Sequence, residues 1–158
     1  MKAILMSDRP KWVAMTLNGE KIIEIRKTMP KRELPIDVYI HCTKGKHRLV
    51  LDKENLACFT GWLEEGDTEL NGKVVAKFTL DVVYEYDIKD ENTWIDSDFA
   101  EVMQKLSAMS LHEINEYAGN HFYAWHISDL VIFDEPKELS EFGVKRAPQS
   151  WQYIEVKE

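Results

Sequence analysis

Apolar positions along the chain switch between runs, alternation and helical spacing, and the breaks fall at proline, glycine and asparagine. Residues 3–6 (Ala-Ile-Leu-Met) predict a short buried strand. Ser7 or Asp8 is then placed to cap a helix that Pro10 begins, with Trp12, Val13, Met15, Thr16 and Leu17 at amphipathic spacing and Asn18-Gly19 to end it. Lys21 to Arg26 reads as a strand whose alternation puts Lys21, Ile23 and Ile25 on one face and Ile22, Glu24 and Arg26 on the other. Charge on both faces suits a core strand only if those charges meet partners.

Lys27 to Pro35 is a basic, proline-bounded loop, Ile36 to His41 the next strand, and Arg48 to Asp52 a further candidate. Between Lys53 and Gly66 no period holds, although Phe59 and Trp62 call for burial. Asn71-Gly72 is a turn signal ahead of a strand from Lys73 to about Tyr86. A helix follows with Phe99, Val102, Met103 and Leu106 on one stripe. Ser110 and Glu113 stand three apart in capping-box form before a short helix to Tyr117, closed by Gly119. Phe122 to Phe133 is a strand pair or one bulged strand, ended by Glu135-Pro136. Lys137 to Phe142 makes a helical turn, Lys145 to Ser150 a basic loop, and Trp151 to Val156 the last strand. Strands outnumber helices and do not alternate with them regularly, which predicts an α+β fold built as a small closed or nearly closed β-barrel with inserted short helices. No repeat or linker divides the chain, so residues 1–158 are expected to form a single domain.

Composition narrows the function classes. With 44% apolar and 30% charged residues the chain is of globular type. No apolar run reaches the ~20 residues of a membrane helix, and the four-residue apolar start is too short for a signal-peptide core, so a cytoplasmic protein with no membrane partner is expected. Cys42 and Cys58 lie in no CxxC pair and are expected to be reduced packing residues. The net charge of −8 hides an asymmetry: residues 1–50 carry 11 Lys and Arg against 5 Asp and Glu, and the rest of the chain carries 9 against 23. A local basic surface can therefore attract an anion despite the net charge. The basic loop Lys27 to Arg32 with Lys44, Lys46 and Arg48 is either a phosphate-tracking patch or a solvated surface. The acidic run of Asp81, Glu85, Asp87, Asp90, Glu91, Asp96, Asp98 and Glu101 reads as a solvated face.

Three groups of residues carry candidate chemistry. Lys21, Glu24 and Arg26, brought beside Lys11 and Trp12 by the turn at Gly19, put a lysine, a carboxylate and an arginine within six residues, able to hold an anion and polarise or protonate a bound group. The same spacing also suits an ordinary ion-pair lattice at a sheet edge. Aromatic residues Trp12, Tyr123, Trp125, Trp151 and Tyr153 either stack bases or fill the core, with Trp151, after Arg146, Gln149 and Ser150, the best stacking candidate. His41, Cys42, His47 and Cys58 match no common zinc spacing, so no metal is expected, and His126 is expected to be a satisfied core histidine. Gly-rich phosphate loops, nucleophile elbows and HExxH are absent, and no cofactor is expected.

Gly19-x-Lys21-x-x-Glu24-x-Arg26 is similar to the G-x-K-x-x-E-x-R signature of the ASCH family, a relative of the PUA domains. The resemblance extends to Lys2-Ala3-Ile4-Leu5, Pro10-Lys11-Trp12, Lys27-Thr28-Met29-Pro30, Val38-Tyr39-Ile40 and Pro148-Gln149-Ser150-Trp151, and looks like small bacterial or phage members. It implies a PUA-like fold and recognition of RNA or a nucleoside- or nucleotide-like ligand in a cleft at the motif, with Lys11, Trp12, Lys21, Glu24, Arg26, Lys27, Arg146, Gln149, Ser150 and Trp151 as ligand-binding candidates. Some members are amidohydrolases on acetylated cytidine that share the lysine at Lys21 but carry a threonine where this chain has Glu24. Others look like metal-stimulated ribonucleases. The alternative function is therefore a small hydrolase using Lys21 and Glu24 as catalytic residues, with Glu24 a general base for water. A protein-interaction module using the acidic face is the third reading, its partner unspecified.

Overall fold

The computed structural model describes residues 1–90 and 97–157. In chain order the elements are β1 (Lys2–Asp8), α1 (Pro10–Leu17), β2 (Ile23–Arg26), β3 (Ile36–Cys42), β4 (Leu49–Leu51), β5 (Ala57–Phe59), β6 (Thr68–Glu69), β7 (Val74–Asp87), α2 (Asp98–Ser107), α3 (Leu111–Ala118), β8 (His121–Lys137), a 3-10 turn (Leu139–Phe142) and β9 (Trp151–Glu155). Where local chemistry is strong the expected elements are present. Ser110 accepts from the Glu113 N–H while the Glu113 carboxylate accepts from the Ser110 N–H, a complete capping box. Gly19, at φ +78°, takes the left-handed turn that ends the α1 segment. A Cβ there would meet nothing within 4 Å, so the demand for glycine is one of backbone angle and not of space.

The strands form a six-stranded sheet ordered β2-β8-β7-β3-β1-β9 and a small sheet ordered β5-β4-β6. The fold is α+β, as expected, but the barrel is not closed: edge strands β2 and β9 share no ladder. β7 and β8 are long and paired with three register shifts that bend them. The β8 segment is thus one bulged strand and not a strand pair. β1 is buried on both faces, which is why it reads as a continuous apolar run. Ile4 and Met6 join Val38, Ile40, Phe78, Trp125 and the α1 residues Val13 and Leu17 in the main core. Ala3 and Leu5 pack on the other side with Tyr39, Val74 and Ile154, over which Phe133 and Phe142 lie. A third cluster seats α2 and α3 on β2 and β8 through Met103, Met109, Ile114, Ile23, Ile25 and Phe122.

The seam between the two sheet edges is bridged by side chains. Arg26, the last residue of β2, donates from Nη2 to Ser7 O at 2.9 Å and from Nη1 to Ser150 Oγ at 3.1 Å and Ser150 O at 3.3 Å. The 27–35 loop covers the same seam: Trp151 Nε1 donates to Thr28 Oγ1, Trp125 Nε1 to Thr28 O, and Lys31 N to Tyr153 Oη.

Several expectations are corrected. Ser7 and Asp8 do not cap α1; they end β1, and Arg9 stands at the N-cap with no side-chain cap bond. On α2 the buried positions are Ala100, Met103 and Ser107, while Phe99 and Val102 are exposed, because the helix rests on β2 through its other stripe. Phe59 and Trp62 are exposed, at 48% and 70%: Phe59 ends the edge strand β5 and Trp62 lies in the bend beyond it. Cys42 is buried as expected, whereas Cys58 is exposed. His126 is no core histidine: its Nδ1 pairs with Asp81 Oδ1 at 2.8 Å on the outer face of β7–β8. Glu91 and Asp96 of the acidic run lie outside the described residues.

Candidate nucleotide-binding cleft

An open cleft of about 760 Å³ lies at the seam, between the end of β1, β2, the start of α1, α3 and the 148–149 loop. Its floor is charged and buried: Lys21, Glu24, Arg26 and Asp8 are 2%, 4%, 4% and 8% exposed. Burying four ionisable groups is costly unless each finds a counter-charge or hydrogen bond. Arg26 Nη2 stands 3.2 Å from Glu24 Oε1 and 3.9 Å from Asp8 Oδ1. Burial alone would lower the Arg26 pKa, but Glu24 and Asp8 together hold it above its ordinary value. Asp8 is pushed well above the usual carboxylate range, by burial first and by Glu24 next, against the pull of Arg26 and Lys21.

Lys21 has a different partner. The chain turns after Gly19, Ile22 N bonds Leu106 O at 2.9 Å, and Lys21 Nζ donates to Ser107 O at 2.7 Å, a carbonyl at the C-terminus of α2. A helix C-terminus carries partial negative charge and orphan carbonyls, which makes it a suitable seat for a buried ammonium. β2 starts only at Ile23, so Lys21 stands just ahead of the strand, and its side chain lines the cleft with Glu24, Ile25 and Arg26. Its Nζ is 5.1 Å from the centroid of the Trp12 ring, and Lys11 Nζ is 4.5 Å from that same ring. Lys11 also pairs with Glu113 at 3.5 Å.

Two atoms on this floor have no partner, Glu24 Oε2 and Arg26 Nε, one acceptor and one donor. Each orphan costs on the order of 1–3 kcal/mol, so keeping both in a preformed cleft leaves a donor–acceptor pair for something else to satisfy.

Of the residues singled out in the sequence, the cleft brings together Trp12, Lys21, Glu24, Arg26, Lys27 and Gln149, with Lys11 beside the Trp12 ring. Ser150 stands behind them, holding Arg26 through its hydroxyl and carbonyl. Arg146 and Trp151 lie outside the lining; Trp151 packs edge-on against Trp125, 5.6 Å between centroids, over the seam. Trp125 is fully buried. Sequence reasoning missed Asp8, Thr43 and Tyr117. Asp8 looked like a cap because Pro10 follows it, and Tyr117 reaches the cleft only because α3 packs on β2. Lys27 Nζ sits 5.1 Å from the Tyr117 ring centroid. Burial, then the carboxylates Glu24 and Asp8 against the pull of Arg26, holds the Tyr117 phenol above its ordinary value.

No protein-family model and no curated protein matches the sequence. Solved structures do match. An ASCH protein from Zymomonas mobilis superposes with a TM-score of 0.64 at 14% identity, over 97% of this chain and 87% of that one. Two substituted forms of that protein give TM-scores of 0.65 and 0.63, at 14% and 15% identity, over 97% and 98% of this chain and 88% and 91% of theirs. The chain has an ASCH-domain fold. In this chain Lys21, Glu24 and Arg26 of the Gly19–Arg26 motif line the cleft. No helix among the described residues is long and apolar enough to cross a membrane, and none of their His, Cys, Asp and Glu side chains group as a metal site.

Proposed function

We propose that the chain, taken as one cytoplasmic ASCH domain over residues 1–158, binds a nucleotide unit in this cleft, either free or as part of a single-stranded RNA. The observation that carries the reading is the unpartnered pair, Glu24 Oε2 and Arg26 Nε, on the floor of a cleft of nucleotide-binding size. Arg26 and Lys21 face a phosphate or carbonyl oxygen, Glu24 accepts from a base N–H, and Trp12 or Tyr117 offers a ring for stacking. The charge of the lining favours one unit over a long backbone. Arg9, Lys21, Arg26 and Lys27 are interleaved there with the carboxyls of Asp8, Glu24, Glu113 and Glu116, so the cleft is no basic track.

The test is a tryptophan-fluorescence titration with short single-stranded RNA and with free nucleotides at two salt concentrations, with Lys21→Met and Glu24→Gln alongside. A saturable quench that both variants weaken supports the site. Equal binding by all three proteins places any ligand elsewhere.

A hydrolase is the second reading, favoured by the adjacency of Lys21 to two buried carboxyls in one cleft. Here Glu24→Gln abolishes turnover while substrate still binds, whereas pure binding predicts lost affinity and no turnover in either form.

A further inference from the structure

The floor of the cleft poses a charge problem. Asp8 and Glu24 are both buried in the floor beside one another, yet Glu24 Oε2 finds no donor in the cleft. Two bare carboxylates held together repel, whereas a proton on one gives the other a donor. Both carboxyls also converge on one guanidinium nitrogen, Arg26 Nη2, which is already donating to Ser7 O. Asp8 Oδ1 accepts the Arg9 N–H at 3.1 Å, which leaves its other oxygen to carry a proton.

We infer that the cleft floor is a proton-coupled anion site: Asp8 carries a proton toward Glu24, so Lys21 and Arg26 outweigh the carboxyls by one charge and take an oxyanion, the phosphodiester of a nucleotide ligand. With the proton in place the floor carries two cations against one carboxylate; without it the floor is neutral. Glu24 Oε2 has two lone pairs, so the Asp8 proton and a ligand donor do not compete for it. The claim rests on the nucleotide reading for its ligand class, but the shared proton is a property of the free protein.

The other groups facing Asp8 come from every element packed against the cleft. Arg9 neighbours it in the chain, and Lys21, Glu24 and Arg26 come from the β2 side. On β3 the Cys42 thiol is pushed up by burial and Asp8 to about 12, and the Tyr117 phenol from α3 is also held up, so both stay neutral at ordinary pH. His41, opposite Ser7 on β3, is held below its usual value by burial and is uncharged above neutrality. Glu113 on α3 is held below its usual value by the N–H at Ser110 and by Lys11, and stays ionised. Glu116 also lines the cleft and Lys27 its rim.

The experiment measures binding of three probes, the dinucleotide UpU, sulfate and neutral uridine, from about pH 5.5 to about pH 8.5, by calorimetry on the wild type, Asp8→Asn and Glu24→Gln. The UpU phosphodiester and sulfate keep their charge across this range. Their wild-type affinity is expected to fall by up to about tenfold per pH unit as Asp8 loses its proton, while uridine binding stays flat. Asp8→Asn, a neutral mimic of the protonated acid, is expected to bind UpU and sulfate with no pH dependence and at least as tightly as the wild type at low pH. Infrared difference spectra of the unliganded proteins supply an arm independent of ligand and of either variant's affinity: a protonated-carboxyl band present near neutrality in the wild type and absent in Asp8→Asn. A missing band, a flat wild-type anion profile, or a wild-type slope retained in Asp8→Asn overturns the inference. If uridine and UpU fail to bind while sulfate binding keeps the expected slope, the nucleotide reading falls and the proton-coupled site stands.

Discussion

Arg26 is the residue on which seam and cleft both depend, and Arg26→Ala shows how strongly. The guanidinium, 4% exposed, makes three hydrogen bonds across the seam and pairs with Glu24 at 3.2 Å. Hydrogen bonds from a charged donor are worth about 1.5–3 kcal/mol each but do not add, since all three share one side chain. Removing one partner of a buried ion pair costs about 3–5 kcal/mol, mostly by stranding the other charge. Taking that range as the total, and about 2–4 °C per kcal/mol for a chain of this size, Arg26→Ala is expected to lower Tm by roughly 6–20 °C. The assay is calorimetry with urea unfolding as a cross-check. The cost is also expected to grow with pH. Without the guanidinium, Asp8 is held in the folded state with still more tendency to keep its proton, so the folded variant binds more protons than its unfolded chain and loses stability as pH rises. Pairing the change with Glu24→Gln should recover part of the loss. A cost below about 1 kcal/mol, the level of an exposed ion pair, would refute the view that Arg26 fastens the seam.

Other outcomes follow from the same geometry. Because the folded-state Asp8 pKa is raised, its proton favours the native state below that pKa and the benefit is lost as pH rises through it; the stability of Asp8→Asn relative to wild type should therefore increase with pH, by at most about 1.4 kcal/mol per pH unit, measured as ΔTm across a pH series. Lys21→Met should leave the Ser107 carbonyl without its donor at a cost of about 1–3 kcal/mol in urea unfolding, while binding in the cleft is lost outright. Thr28→Ala removes the acceptor of Trp151 Nε1 and should cost about 0.5–1.5 kcal/mol with little effect on ligand affinity, since that bond lies outside the cleft. In thiol labelling of the native protein, exposed Cys58 should react and Cys42, buried and raised to about 12, should react only on unfolding.

Local chemistry made much of this molecule legible in its sequence. The turn at Asn18-Gly19, the capping box at Ser110 and Glu113, the Asn71-Gly72 turn before β7 and the apolar run of β1 each depend on residues within a few positions of one another, and each is present as expected. The motif from Gly19 to Arg26 was legible for the same reason, as was the conflict it posed, a strand with charges that needed partners. Hydropathy misled at Phe59, Trp62, Phe99 and Val102, apolar side chains that stay largely exposed; burial is a property of neighbours and not of the side chain alone.

What those charges meet was decided by tertiary structure. Lys21 is held by a carbonyl 86 residues away and Arg26 by a hydroxyl 124 residues away, contacts that no local pattern encodes. Asp8 was legible as a polar residue before a helix; only the parallel pairing of β1 with β3 and the approach of β2 across the open seam turn it into a buried acid facing Glu24 and Arg26. The sequence by itself determined most of the elements, though not β5 and β6, the α+β class and the presence of a lysine, a carboxylate and an arginine in one motif, because short-range sterics and hydrogen bonding act along the chain. The open barrel, the cleft at its seam and the raised pKa of Asp8 on its floor arise from long-range packing, which sets the dielectric and the distances on which electrostatics depends.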